Sequence, residues 1–149
     1  MADARVDILG IGDVPLVTQL YNQIFKPRQE EEFFRRRFEG RHNSLILAAV
    51  VDGDPVGFSL GFENKPTVFF EWLYGVLPDY RRAGIGAQLM DASNAWAKEN
   101  HYHSTRMECH NQHREMLHMA IAKGYDIAGI RWEPERHSNL VIFEKELAE

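Results

Sequence analysis

The chain has 149 residues, 44% of them hydrophobic, and a formal net charge of −5 at pH 7. This length and composition favour a single compact domain over residues 1–149 and exclude a largely disordered protein. The acidic balance argues against nucleic acid as the main partner and is compatible with a cationic substrate.

Features of the whole chain also predict a compartment. The longest apolar runs, Leu45–Val51 and Val68–Leu77, are too short to span a bilayer. Met1–Arg5 has no basic segment followed by an apolar run, so we expect no secretory signal. Cys109 is the only cysteine, which excludes an internal disulfide and suits a reducing environment. We therefore predict a cytoplasmic protein.

The first half of the chain predicts two helices followed by a hairpin. Asp13 is typical of a helix N-cap, and the Asp52-Gly53 pair is typical of a tight turn between strands. The predicted elements are strand Arg5–Leu9, a helix from Asp13 to near Lys26-Pro27, helix Gln29–Glu39, and strands Ser44–Val51 and Val56–Phe62. In the last strand large and small residues alternate, which predicts one shared face for Val56, Phe58, Leu60 and Phe62.

The second half alternates strands and helices. The pattern predicts strand Val68–Leu77, helix Gly84–Glu99, strand Ser104–Cys109, helix Gln112–Lys123, and strands Asp126–Glu133 and Asn139–Lys145. Strands and helices in this order are typical of an α/β domain with a mixed sheet.

The segment from Val76 to Met90 carries the clearest functional signal. It reads as the end of an apolar strand, a basic loop containing Gly84 and Gly86, and the start of a helix. The first turn of a helix has amide groups without internal partners, and the helix dipole adds partial positive charge there. Such a loop is suited to hold a pyrophosphate. It lacks the pattern of a P-loop, and Leu89 replaces the third glycine of a dinucleotide-binding motif.

This loop resembles the Arg/Gln-x-x-Gly-x-Gly/Ala signature of the GNAT acetyltransferases, with Arg81, Gly84 and Gly86 in the marked positions. The order of the predicted elements extends the resemblance over essentially the whole chain. It implies a GNAT-type α/β fold, with a mixed, mostly antiparallel central sheet of about seven strands flanked by four helices. It also implies transfer of acetyl from acetyl-CoA to a primary amine by direct attack.

The resemblance further implies which residues bind acetyl-CoA. In this family the main-chain amides of the loop hold the pyrophosphate, and the preceding strand pairs with the pantetheine. Carried over to this sequence, these residues are Leu73, Tyr74, Gly75, Val76, Arg81, Arg82, Ala83, Gly84, Ile85, Gly86 and Ala87.

Glu71 is the predicted general base. An ammonium group must lose its proton before it attacks the thioester, so a base is needed nearby. Glu71 is the only acid in the strand Val68–Leu77 and has aromatic neighbours, which should raise its pKa toward neutrality. Several members of the family carry a glutamate on this strand. The alternative is that Glu71 points at solvent or pairs with an arginine of Arg35–Arg37.

The second family motif departs from its usual pattern. Counting back from Gly124-Tyr125, its Asn position falls on His113, which we include among the cofactor-binding residues. Its Tyr position, the usual general acid, falls on Ala120. Tyr74 is the first choice for the missing acid, although a regular strand would place it on the opposite face from Glu71. The alternatives are that Tyr21 is the acid or that solvent protonates the thiolate. Tyr125 is expected to pack in the core.

Other features leave alternatives open. A catalytically inactive acyl-CoA-binding sensor or regulatory module of the same fold would share the cofactor loop. The histidines near Cys109 do not have zinc-site spacing, so no metal is predicted. Glu30–Glu32 followed by Arg35–Arg37 forms either a solvated helix face or a wall of the acceptor cleft that selects charge. The small-molecule or peptide acceptor is not identified, and a homodimer through a sheet edge is possible.

Overall fold

The computed structural model describes residues 3–147. All of the predicted strands and helices are present, with ends that differ by a few residues at most. Strands and helices follow in the order β1 Arg5–Leu9, α1 Val14–Ile24, α2 Glu31–Phe38, β2 Leu45–Val51, β3 Asp54–Lys65, β4 Val68–Val76, α3 Ile85–Glu99, β5 Ser104–His110, α4 Arg114–Ala122, β6 Asp126–Glu133 and β7 Ser138–Glu146. Short 3₁₀ turns at Ile11–Asp13, Pro78–Tyr80 and Pro134–Arg136 join some of them.

The strands form one seven-stranded sheet in the order β1-β2-β3-β4-β5-β7-β6. Only the β4–β5 pair is parallel, and the other neighbours are antiparallel. The predicted fold class, a mixed and mostly antiparallel sheet with four helices, is therefore confirmed. Strands β1 and β6 are its two edges, and a homodimer through either edge stays a prediction.

Helices cover both faces of the sheet. Apolar side chains of α3 and α4 pack on one face, where Leu89, Met90 and Ala120 are fully buried. Apolar side chains of α1 and α2 pack on the other face, where Val14 and Phe34 are fully buried. Within residues 3–147, no helix combines the length and apolar character that crossing a bilayer requires.

Two β-bulges decide which side chains share a face. A bulge between β2 and β3 leaves Val56 outside the register, and Val56 packs on the α3 face, whereas Phe58, Leu60 and Phe62 pack on the α1/α2 face. The predicted common face of these residues is wrong at Val56, because the extra residue of a bulge shifts the alternation by one. The second bulge, at Trp72 in β4, lies at the site described below.

Local sequence determines the backbone at the β2–β3 turn and at the start of α1. The hairpin turn has Asp52 and Gly53 both at positive φ, 51° and 85°, as a tight turn between twisted strands requires. Asp13 precedes α1 as predicted, but its side chain makes no cap bond to α1. Its carboxylate instead accepts a hydrogen bond from the Gly10 amide at 3.0 Å, within the preceding 3₁₀ turn.

Candidate active site

The loop between β4 and α3 presents a row of unpaired amides. Arg82 and Gly84 have positive φ values of 63° and 84°, so the chain turns sharply before α3 begins. No side chain caps α3, and the first bond into the helix runs from the Gln88 amide to the Gly84 carbonyl at 3.0 Å. Among residues 3–147, nothing accepts a hydrogen bond from the six amides of 82–87. These donors and the helix dipole suit the loop to bind an anion.

Helix α4 and a buried side-chain amide lie beside the loop. A Cβ atom on Gly86 would lie 3.5 Å from the Met119 side chain, so this face of α3 looks toward α4. The Gln88 Oε1 atom is buried and has no hydrogen-bond partner within the part of the chain that the structure describes. Arg82 bridges the loop to Glu115 of α4 at 3.4 Å across a mostly exposed gap. The main-chain donors suit a pyrophosphate, and the unpaired amide oxygen suits an N–H donor such as a pantetheine amide.

The central pair of strands separates beside this loop. Strand β4 pairs with β5 only from Val68 to Glu71, opposite Ser104 to Met107. Beyond that point, Leu73 to Val76 pair with β3 on one side and have no strand partner on the other. The predicted pantetheine-binding residues are therefore the ones at the open edge. Arg81 folds back to this edge, where its Nε donates to the Val76 carbonyl at 3.2 Å.

Glu71 lies at the point where the two strands separate. It is 1% exposed, and its carboxylate accepts hydrogen bonds from four side chains. The donors are the hydroxyls of Tyr74 and Tyr125, the hydroxyl of Thr105 at 2.8 Å, and the amide of Asn94 at 3.3 Å. We call these five residues the Glu71 cluster. Glu71 neither reaches solvent nor forms a salt bridge with an arginine, so both parts of the alternative reading are wrong.

Burial controls the acid-base properties of the cluster. Loss of water raises the pKa of Glu71 above its ordinary value, although the hydrogen bonds from Tyr125, Tyr74 and Thr105 oppose that rise. Burial and the nearby carboxylate also raise the pKa of Tyr74 well above its usual value, and that of Tyr125 too. A carboxyl with a raised pKa and two neutral tyrosines can pass protons among themselves near neutral pH.

The bulge at Trp72 brings Glu71 and Tyr74 together. The register pairs Gly61 with Glu71 and Leu60 with Leu73, so Trp72 has no cross-strand partner. Without the bulge, side chains three residues apart on a strand would point to opposite faces. Here Glu71 and Tyr74 both face α3 and are hydrogen-bonded to each other. The expectation that Tyr74 lies on the opposite face from Glu71 is therefore wrong, because the bulge shifts the alternation of side chains by one residue.

The sequence reading missed part of the cluster. Tyr125 is 3% exposed and packs in the core as expected, but its hydroxyl also binds Glu71. Asn94 and Thr105 are polar residues at buried positions of α3 and β5. The sequence could have revealed them, because they interrupt otherwise apolar faces and buried polar groups require hydrogen-bond partners.

Helix α4 does not bring the remaining motif residues into the cluster. Ala120, at the usual tyrosine position, is fully buried. His113 precedes the first residue of α4 and is exposed, with its ring 6.1 Å from that of His110. Its predicted role in binding the cofactor stays a prediction. Residues 3–147 contain no group of three His, Cys, Asp or Glu side chains arranged to hold a metal ion.

A groove of about 360 Å³ lies on the opposite, α1/α2 face of the sheet. Phe62 of β3 and Phe70 of β4 line the groove. Three arginines and one glutamate line it as well: Arg37, Arg41, Arg106 and Glu108. Glu108 follows the last β5 residue that pairs with β4, so the groove borders the separation of the strands from this side. The signal for these residues was the alternation in Ser104–His110, which puts Arg106 and Glu108 on one face.

Comparison with known proteins gives one family. The sequence profile described as the acetyltransferase (GNAT) family matches residues 14–125. An uncharacterized N-acetyltransferase, YhfO of Bacillus subtilis (strain 168), is 25% identical over 113 residues, 72% of this chain and 75% of that protein. An aminoglycoside N(6')-acetyltransferase type 1 of Acinetobacter genomosp. 13 is 50% identical over 38 residues, 26% of this chain and 25% of that enzyme. This chain thus matches a quarter of the latter enzyme's length.

Solved structures share the whole fold. The ribosomal-protein-S18-alanine N-acetyltransferase of Escherichia coli has a TM-score of 0.86 at 15% identity, over 99% of this chain and 96% of that one. A putative acetyltransferase, yncA of Salmonella typhimurium, solved with its cofactor acetyl-CoA, has a TM-score of 0.81 at 13% identity, over the same shares. At these identities the likeness shows the fold alone.

Proposed function

The chain belongs to the GNAT acetyltransferase family, and on that premise we propose that it transfers an acetyl group from acetyl-CoA to a primary amine. One observation carries the proposal: six consecutive free amides at the start of α3 lie next to the unpaired edge of β4. A pyrophosphate needs such donors, and an amide-containing chain such as pantetheine can pair with such an edge.

The proposed cofactor site uses main-chain groups almost throughout. The amides of 82–87 would hold the pyrophosphate oxygens, and Arg81 and Arg82 would add positive charge. The open edge of Leu73, Tyr74, Gly75 and Val76 would pair with the amides of the pantetheine. When bound, acetyl-CoA supplies an acetyl thioester, and this path would bring it toward the separation of β4 and β5. Trp72, which has no partner in the β3–β4 register, lies at this point of the strand.

Glu71 and Tyr74 are the proposed proton-transfer pair. The attacking ammonium must lose a proton, and Glu71 is too buried to take it directly, whereas Tyr74 is 8% exposed and hydrogen-bonded to it. We assign the Tyr74 hydroxyl to receive the proton of the amine while passing its own to Glu71. The C–N bond then forms, the C–S bond breaks, and Tyr74 gives its proton to the departing sulfur and regains one from Glu71. The second proton of the amine goes to solvent.

Cofactor binding is tested by thermal unfolding with acetyl-CoA. At 100 times its Kd, a ligand adds about 2.7 kcal/mol, or roughly 5–10 °C for a domain of this size. Gly84→Val should abolish the shift, because a side chain at the start of α3 obstructs the amides. Gly53→Val is the matched control: its φ of 85° equals that of Gly84 within a degree, but it lies in the hairpin turn. Absence of a shift at millimolar acetyl-CoA would refute the cofactor site.

The proton-transfer pair is tested by amine-dependent release of CoA. We expect Glu71→Gln and Tyr74→Phe each to lower kcat by about 10²- to 10⁴-fold, the usual contribution of general acid-base catalysis. Tyr125→Phe removes a comparable hydrogen bond to Glu71 but lies outside β4, and it should reduce kcat far less. Unchanged kcat in Glu71→Gln would exclude Glu71 as the base.

The same two assays distinguish an active enzyme from the alternative function, a catalytically inactive acyl-CoA-binding module. It would give the thermal shift with acetyl-CoA, yet no primary amine would release CoA. One observation favours it, namely that Ala120 occupies the position of the usual acid. The hydrogen bond between Tyr74 and Glu71 opposes it, because it supplies a replacement acid at the open edge of β4.

A further inference from the structure

The groove on the α1/α2 face carries positive charge that the protein itself does not neutralise. Arg106 is paired, at 3.4 Å to Glu108 and 3.3 Å to Glu144. Arg37 and Arg41 form no salt bridge with any carboxylate of residues 3–147, and burial together with Arg41 lowers the pKa of Arg37. Arg106 is thus neutralised by its two carboxylates, and the excess positive charge of the groove belongs to Arg37 and Arg41, in a chain whose net charge is negative.

Aromatic rings hold these two arginines in place. The Arg37 guanidinium lies 4.9 Å from the centre of the Trp72 ring and 5.7 Å from that of Phe62. The Arg41 guanidinium lies 4.6 Å from the centre of the Phe62 ring. Stacking on a ring fixes the plane of a guanidinium and leaves its N–H groups free to bind a planar anion. Little conformational entropy is then lost when a carboxylate binds.

The groove also has the position that an acceptor site needs. It borders the separation of β4 and β5 from the face opposite the Glu71 cluster, since Trp72 and Phe70 pack on the α1/α2 face. Its volume of about 360 Å³ is that of a small-molecule site. A molecule anchored at Arg37 can therefore direct a second group toward the proposed thioester position.

We propose that the acceptor is a small primary amine that carries a carboxylate or another compact anion, which Arg37 and Arg41 bind. This inference rests on the proposed acetyl transfer and names its substrate class. The acidic net charge of the chain was compatible with a cationic substrate. The groove indicates the opposite, because its local charge is positive whereas the net charge of the chain is negative. A polycationic amine would be repelled by Arg37 and Arg41. Glu108, the one carboxylate in the lining, comes directly after the last β5 residue that pairs with β4, and it suits the ammonium end of the acceptor.

The test compares acceptors that differ only in the anion. The probes are L-amino acids with their matched amides, together with β-alanine, β-alaninamide, 1,3-diaminopropane and 2-aminoethylphosphonate. We expect kcat/KM to be at least tenfold higher for a carboxylate than for its amide, and lowest for the diamine. A higher value for the phosphonate than for β-alanine assigns the groove to phosphorus oxyanions. Equal rates for acids, amides and the diamine would overturn the proposal.

Variants locate the effect in the groove. Arg37→Gln should lower kcat/KM for carboxylates by about 10- to 100-fold, mainly through KM, and leave the amides unchanged. Arg36→Gln is the matched control, because Arg36 is an exposed neighbour on α2 outside this groove. Equal losses for acids and amides in Arg37→Gln, or an equal loss in Arg36→Gln, would contradict the assignment.

A binding measurement separates this proposal from acetyl transfer itself. Calorimetry with CoA-saturated protein measures whether the aminocarboxylates bind, whether or not turnover occurs. Binding that Arg37→Gln abolishes supports the anion site even if no CoA is released, in which case the proposed transfer has failed. Release of CoA with amides alone, and no binding of any aminocarboxylate, overturns the anion site while the transfer stands.

Discussion

The carboxyl group of Glu71 shows how one residue can link stability to pH. Its folded pKa is raised above the value of 4.5 expected in the unfolded chain. The protonated carboxyl therefore stabilises the fold fully below about pH 4.5, and this stability is lost as pH rises through the folded pKa. Each unit of pKa shift corresponds to about 1.4 kcal/mol.

We expect Glu71→Gln to remove this dependence. The free energy of unfolding of the wild type, minus that of Glu71→Gln, should fall as pH rises from 4.5 to 8. Urea unfolding at a series of pH values measures the difference. A difference that grows with pH would mean that the folded pKa of Glu71 is depressed, and the account of the cluster would be wrong.

Gly61 controls the bulge that builds the cluster. It lies opposite Glu71, and a Cβ atom there would come within 2.7 Å of the Phe69 ring and of the Phe70 carbonyl. Because the carbonyl belongs to the backbone, the strands themselves would have to move. We expect Gly61→Ala to destabilise the fold by about 1–3 kcal/mol. Gly129→Ala, whose new Cβ would lie 3.7 Å from Ile142, is the matched control in denaturant titrations.

Helix α2 is short and depends on tertiary packing. It has eight residues, and its buried residues are Phe34 and Phe38. An isolated helix of this length is unstable in water, so Phe34→Ala should cost about 3–5 kcal/mol in the free energy of unfolding. Phe33→Ala on the same helix should cost much less, since Phe33 is 40% exposed. Equal losses in thermal melts would show that α2 is not anchored by its buried face.

The loop before α3 should change most when ligand binds. Its amides at 82–87 have no hydrogen-bond partner among residues 3–147, so they should exchange hydrogen rapidly in the free protein. Saturating CoA should slow that exchange at least tenfold. Amides farther along α3 already have helical bonds and serve as the internal control. Exchange that is unchanged by CoA would contradict the proposed pyrophosphate site.

For the molecule as a whole, the sequence predicted the order of elements and the cofactor loop. Local signals were sufficient for these: Asp52-Gly53 for the hairpin, apolar periodicity for the helices, and Gly84 with Gly86 for the loop. The apolar neighbours of Glu71 favoured a buried position, although the sequence left open that it points at solvent or pairs with an arginine. Each of these features depends on residues close together in the chain.

What sequence reasoning missed depends on contacts between distant residues. The bulge at Trp72 lies where Gly61 packs closely against β4, and no local pattern marks it. The meeting of Tyr125 with Glu71 joins residues 54 positions apart. The charge of the groove combines Arg37 of α2 with Arg106 of β5. Alternation and periodicity describe single elements, so they could not reveal these combinations.

The separation of β4 from β5 also has a kinetic consequence. The loop before α3 faces α4, and the groove lies on the α1/α2 face of the sheet, so the sites proposed for acetyl-CoA and for the amine can be filled at the same time. Double-reciprocal plots of initial rates should therefore intersect rather than run parallel. The product CoA should compete with acetyl-CoA but not with the amine, because it would occupy the site proposed for acetyl-CoA.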